Sequence, residues 1–228
     1  MTFIIAIQLN DSIVVTTDNK KAVLKKSGET QFSHEKLEKM HAWNHGIITG
    51  TGENGVICRS IEIFKNLADS DIRNLPQCLD LSRKIREMEI GEDYIQVENT
   101  KLLCSSYTQH GAQLYKIERF DTSDDYAFTC IEPMDITVWL FHPNIETISA
   151  NLQNLYHDLK DYSAFSNQTE WINYYLNRLA PIYQKQSQQD PFMSSCFDVF
   201  FQSKDAYIYG HIPNTQSGTL DFQEYFEI

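Results

Sequence analysis

Two nearly unbroken apolar runs open the chain, residues 3–9 (FIIAIQL) and 12–17 (SIVVTT), separated by the turn-forming pair Asn10-Asp11. Both are rich in β-branched residues, so the pattern predicts a hairpin. Neither alternates with polar positions, so both faces of that hairpin are expected to be covered. Residues 36–42 (KLEKMHA) and 46–50 (GIITG) predict a second hairpin around Trp43-Asn44-His45. Apolar positions then recur at helical spacing, first Ile57, Ile61, Phe64 and Ala68, then Cys78, Leu81, Ile85 and Met88 after the early-helix proline Pro76.

Residues 101–107 and 112–118 predict a third hairpin through His110-Gly111, and residues 126–131 and 136–141 predict strands on either side of Pro133. Ile148, Leu152, Leu155 and Leu159 mark a third amphipathic helix, and Ile172, Tyr175, Leu179 and Ile182 a fourth. Residues 196–201 and 206–210 close the chain as a last hairpin. Sheet on sheet inside, with helix pairs outside, covers both faces of such strands and gives an α+β class.

Composition narrows the setting. The 228 residues, 42% of them apolar, carry no Pro/Gly/Ser-rich linker or charge block, which favours one domain over residues 1–228. A formal charge of −12 without a Lys/Arg cluster argues against nucleic acid or an anionic membrane as partner. The five cysteines are widely spaced with no C-x-x-C pair, the pattern of reduced thiols, and are expected in the core. The seven histidines show no metal-ligand spacing and are expected as scattered polar or surface residues, so neither metal nor cofactor is implied. The first apolar run is too short for a signal segment or a membrane span, which places the protein in a cytoplasm.

The hairpin turns set the registers. Pairing about Asn10-Asp11 puts Asp18 across from Phe3, and Asn19 across from Thr2. Pairing near Trp43-Asn44 puts Lys36 across from Thr51 and Leu37 across from Gly50, beside the glycine-rich exit TGTGENG (residues 49–55). If the two hairpins are neighbours in one sheet, Thr2, Asp18, Lys36 and Gly50 converge at one end of it. Those residue types serve one chemistry. A threonine hydroxyl becomes a nucleophile when a base takes its proton, and a free amine on the same residue is such a base, with an unperturbed pKa of about 7.7–8.0. Removal of Met1 ahead of the small Thr2 side chain would expose it. A lysine held charged by Asp18 would favour the developing alkoxide, and a close-approaching glycine N–H would meet the oxyanion.

At these residues the sequence resembles proteasome β-type subunits and their bacterial relatives, within the N-terminal nucleophile hydrolases. The resemblance rests mainly on the first 65 or so residues and continues more loosely through residues 101–107, 112–118 and 196–201. It places Thr2 on the family's terminal threonine, Asp18 on its aspartate, Lys36 on its lysine and Gly50 on its oxyanion glycine. The family's later supporting Asp and Ser, three positions apart, fall on Asp190 and, one residue further along than the pattern, on Ser194, because Met193 takes the regular place. Its glycine/serine turn before the third helix has no counterpart in TCIEPMD (residues 129–135).

The resemblance implies a four-layer αββα sandwich and a homo-oligomer, ring or spiral, that cleaves peptides or unfolded protein without a cofactor. The sequence does not name an unfoldase partner. Two other functions use the same residues: an amidase acting on small amides, and a ring or scaffold subunit that has kept the fold and lost the chemistry.

Overall fold

A computed structural model describes residues 2–24, 30–91, 94–121, 124–140, 144–204, 206–216 and 220–225. Along the chain lie β1 (Ile4–Gln8), β2 (Ile13–Asp18), β3 (Lys20–Leu24), β4 (Thr30–Lys36), β5 (Met40–Trp43), β6 (Gly46–Thr51), α1 (Asn54–Leu67), α2 (Leu75–Ile90), α3 (Ile95–Glu98), β7 (Lys101–Thr108), β8 (Gly111–Glu118), β9 (Ala127–Cys130), β10 (Asp135–Trp139), α4 (Glu146–His157), α5 (Gln168–Gln189), β11 (Phe197–Gln202), β12 (Tyr207–Ile212) and β13 (Gln223–Tyr225). The class is α+β, with two large antiparallel sheets, a two-stranded ribbon and helices; the two sheets with helices are as the pattern predicted. Two compact units contain them. The first comprises Met1–Lys39, Thr108–Ala112 and Glu132–Ile228, and the second Met40–Tyr107 and Gln113–Ile131.

The first unit is built on a six-stranded sheet ordered β10-β1-β2-β11-β12-β13. Every residue of β1 and β2 is buried, as an apolar run without alternation requires. The residues of one face (Ile5, Ile7, Val14, Val199 and Phe201) share a core with Trp171, Tyr175, Leu179 and Tyr183 of α5 and with Ile148 and Leu155 of α4. Burying each large apolar side chain contributes roughly 1.5–3 kcal/mol. Helix α5 starts where the Asn167 side chain accepts the Glu170 amide at 2.9 Å, a regular N-cap. Strand β10 falls on the strand expected over residues 136–141; it pairs with β1 through Ile5 opposite Val138 and makes β1 an interior strand.

The second unit holds the five-stranded sheet β5-β6-β7-β8-β9 with α1 and α2. Val56, Ile57, Ile61 and Phe64 of α1 and Leu75, Cys78 and Leu79 of α2 close its core with Ile48, Leu102 and Ile117. The α2 face differs from the expected one: Leu81 and Met88 are exposed, and Leu75, Cys78, Leu79 and Ser82 are buried. Both stripes satisfy helical periodicity, and packing against α1 selects between them.

The second hairpin also differs. Residues 36–42 are not one strand. The chain forms a separate two-stranded ribbon, β3-β4, in which Lys36 pairs with Lys20, and β5 begins only at Met40. Met40 faces Thr49 and Trp43 faces Gly46, so the turn is Asn44-His45. Hairpins β1-β2 and β5-β6 belong to different sheets, which removes the assumption that brought Gly50 to the Thr2 end of the first sheet.

Candidate functional site

The register of the first hairpin is the expected one. Ile4 faces Thr17, and one step further the Asp18 amide donates to the Phe3 carbonyl at 3.2 Å. The Asp18 side chain turns back on the same residue: its Oδ1 accepts the Phe3 amide at 2.8 Å and the Lys39 Nζ at 2.9 Å, while Oδ2 accepts the Lys20 amide at 3.0 Å. Asp18 and Lys39 are almost completely buried. A carboxylate withdrawn from water needs such donors, and here they lock the backbone adjoining Thr2, itself 8% exposed. From the helix side, the Tyr183 hydroxyl donates to Thr16 Oγ1 at 3.0 Å, and its oxygen lies 3.4 Å from the Phe3 carbonyl oxygen. Its ring packs edge-on to Phe3 and stacks on Phe197, and burial pushes the phenol well above its ordinary pKa.

The lysine on Asp18 is Lys39, three residues beyond the one expected. Lys36 occupies the end of β4, its backbone paired with Lys20, and its side chain lies outside the described residues. With Phe3 N and Lys39 Nζ on one oxygen, the ammonium lies within two hydrogen-bond lengths of the backbone that follows Thr2.

Ser194 sits at this strand end. Its Oγ accepts the Asn19 amide at 3.0 Å and donates to the Cys196 carbonyl at 2.8 Å, so the one-residue shift still brings a serine beside the residue following Asp18. Asp190 caps α5, and its Oδ1 accepts the Phe192 amide at 2.8 Å, shaping the loop that leads to Ser194. Met193 is buried in the apolar core. Gly50 lies within β6, paired with Leu102, and not on a turn. The glycine in turn conformation is Gly52, at φ +119°.

Three features of the site escaped the sequence pattern: Lys39, Tyr183 and the Asp198–His211 pair. His211, expected only as a scattered polar or surface residue, is 1% exposed, and its Nδ1 lies 2.7 Å from Asp198 Oδ1. Asp198 and His211 face one another across β11 and β12, a relation that spacing along the chain does not show. All five cysteines are free thiols, but they are not uniformly core: Cys130 is exposed on the outer strand β9. Among the described residues no group of three or more His, Cys, Asp or Glu is placed to hold a metal, and no helix is long and apolar enough to cross a membrane.

No family model matches the chain, and no curated protein matches it. Solved structures do match. The fold resembles that of the Anbu proteins. A Gly-1 mutant of Anbu from Hyphomicrobium sp. strain MC1 superposes with a TM-score of 0.61 at 8% identity, covering 100% of this chain and 89% of that one. The helical assembly of the Anbu complex from Pseudomonas aeruginosa gives 0.64 at 10% identity, covering 99% and 87%. Anbu, the ancestral beta-subunit, from Yersinia bercovieri gives 0.59 at 8% identity, covering 99% and 88%.

These likenesses establish a proteasome-like subunit fold. They also correct the family reading. Membership in the N-terminal nucleophile hydrolases, drawn from the opening residues, is not upheld, because no family model matches and identities of 8–10% carry the fold alone.

Proposed function

We propose that the chain is a subunit of a homo-oligomeric assembly that hydrolyses peptide amide bonds with Thr2 as nucleophile, once Met1 has been removed. The observation that carries this reading is the shared Asp18 oxygen, which holds the Phe3 amide and the Lys39 ammonium together beside Thr2. In the proposed reaction the Thr2 amine takes the hydroxyl proton as Oγ1 bonds to the substrate carbonyl carbon. The C–N bond then breaks, the leaving amine takes that proton, and water hydrolyses the resulting ester. Lys39 supplies the positive charge that favours the alkoxide. Self-assembly is supported by the Pseudomonas aeruginosa neighbour, described as a helical assembly.

The test combines three measurements. Intact mass should show a chain beginning at Thr2. An epoxyketone, which closes a ring across hydroxyl and amine, should label wild type and not Thr2→Ala. Sedimentation should show an oligomer at micromolar concentration. Peptidase activity undiminished in purified Thr2→Ala would overturn the mechanism. A scaffold role is the second reading, favoured by Met193, which is 4% exposed in the apolar core at the place of the family's supporting serine. Retention of Met1 in the native protein would select that role.

A further inference from the structure

One buried polar cluster beside the site has no part in the reaction above. The His211 ring pairs through Nδ1 with Asp198 Oδ1 at 2.7 Å, and Asn19 Nδ2 donates to Asp198 Oδ2. All three residues are buried, at 1%, 3% and 4% exposure. Thr17 and His211 flank Asp198 on the neighbouring strands β2 and β12, so the carboxylate sits on the sheet face opposite the one that packs on α5. Asn19 directly follows Asp18, whose amide donates to the Phe3 carbonyl next to Thr2.

The Asn19 side-chain oxygen is buried without a partner among the described residues. Its side chain is therefore anchored through the amide nitrogen, and the anchor is Asp198. Its backbone amide is held separately by Ser194, and its carbonyl accepts the Leu37 amide at 3.0 Å, on the stretch leading to Lys39.

We propose that Asp198, oriented by His211, is a positioning residue for Thr2 that acts through Asn19. This rests on the reading of Thr2 as nucleophile. Asp198 fixes the Asn19 side chain, and Asn19 fixes both the end of β2 that meets Phe3, the residue after Thr2, and the approach of the Lys39 segment to Asp18. Burying this much polarity for stability alone is poor value, since an apolar replacement of similar size is often neutral or stabilising. A carboxylate with two directed acceptors instead sets an orientation.

The variants separate direction from space-filling. In Asp198→Asn the amide can accept from His211 and donate to a flipped Asn19, so positioning is retained. Asp198→Leu fills the space and anchors nothing. His211→Asn keeps a donor near the Nδ1 position, whereas His211→Phe keeps only ring volume. Positioning thus ranks Asn above Phe at 211 and a packing role ranks Phe above Asn, whereas at 198 the isosteric Asn ranks above Leu under either role, so Asp198→Leu is read through amide protection.

Full-length assembled protein is measured by amide hydrogen exchange at Phe3, Asn19 and Lys20 and by the saturation kinetics of epoxyketone labelling. Asp198→Leu is expected to speed exchange at these amides about tenfold, the loss of one charge-assisted hydrogen bond, while Val15 and Phe200 stay protected. Its maximal labelling rate should fall by a similar factor, with half-saturation little changed. If wild type is not labelled at Thr2, the functional reading fails and the exchange measurement alone decides the positioning. Unchanged protection at all three amides in Asp198→Leu, or the packing order of variants, overturns the proposal.

Discussion

Lys39 and Asp18 form a 2.9 Å ion pair with side chains only 4% and 1% exposed. The desolvation of both charges is offset because Asp18 also accepts two backbone amides, from Phe3 and Lys20. The pair thereby ties the start of β1, the end of β2 and the segment before β5 into one junction.

Breaking this pair from either side should be costly. Asp18→Ala leaves a buried ammonium facing a void and frees the Phe3 and Lys20 amides, and Lys39→Met leaves the carboxylate with backbone donors alone. Removing one partner of a buried pair costs about 3–5 kcal/mol, with Asp18→Ala at the upper end. The double variant Asp18→Leu with Lys39→Met should recover part of the loss, because no charge then remains buried. Urea midpoints of the four proteins measure the order.

The first hairpin is legible in the sequence because a two-residue turn fixes its register and both strands are apolar throughout, so residue order alone sets Asp18 against Phe3. The next ribbon is not. Strand β4, TQFSHEK, is polar except for Phe32, and β3, KKAVL, does not alternate, so the pattern merges the end of β4 with β5 into one strand. Lys36 and Lys39 lie three apart in that stretch, and only the break between β4 and β5 decides which reaches Asp18. Asp198 and His211 stay hidden for another reason, since strand pairing brings together residues that sequence spacing leaves unrelated.

Tyr183→Phe should destabilise the protein by about 1 kcal/mol, the net worth of a buried hydrogen bond, while its ring contacts with Phe3 and Phe197 persist. The pH dependence follows from burial. Tyr183 and Tyr175 both have folded-state pKa values raised by desolvation, so the native state holds these protons more tightly than the unfolded chain. Their contribution is full below the unfolded value of about 10 and is lost as pH rises from there toward the folded values. Unfolding followed by tyrosinate absorbance should show this alkaline loss, and Tyr183→Phe should have a shallower slope.

Glycine replacements in the second unit should weaken the fold whatever the chemistry. A Cβ at Gly50 would lie 2.6 Å from the Lys101 carbonyl oxygen and 2.7 Å from Leu102, so Gly50→Ala must part β6 from β7. Gly52→Ala adds left-handed backbone strain at φ +119° to a 2.5 Å approach to the Thr100 Cα. Each should cost roughly 1–3 kcal/mol, read as a lowered thermal midpoint.

The two lysines give the sharpest test of the site. The Asp18 carboxylate is occupied by Phe3 N, Lys20 N and Lys39 Nζ, so the cation it holds near Thr2 belongs to Lys39. If that charge favours the Thr2 alkoxide, Lys39→Ala should lower the rate of covalent labelling by roughly 10²–10³, the usual loss when one electrostatic stabiliser of an oxyanion is removed. Lys39→Arg should retain part of the rate, since a cation remains, though the planar guanidinium cannot reproduce the point contact on one oxygen. Lys36→Ala should stay close to wild type, because its strand position pairs with Lys20 in the ribbon. Thr2→Ala sets the zero of the scale, and circular dichroism of each variant shows that the fold persists. A loss in Lys36→Ala equal to that in Lys39→Ala would mean that the buried ion pair is structural and that the charge acting on Thr2 comes from the end of β4.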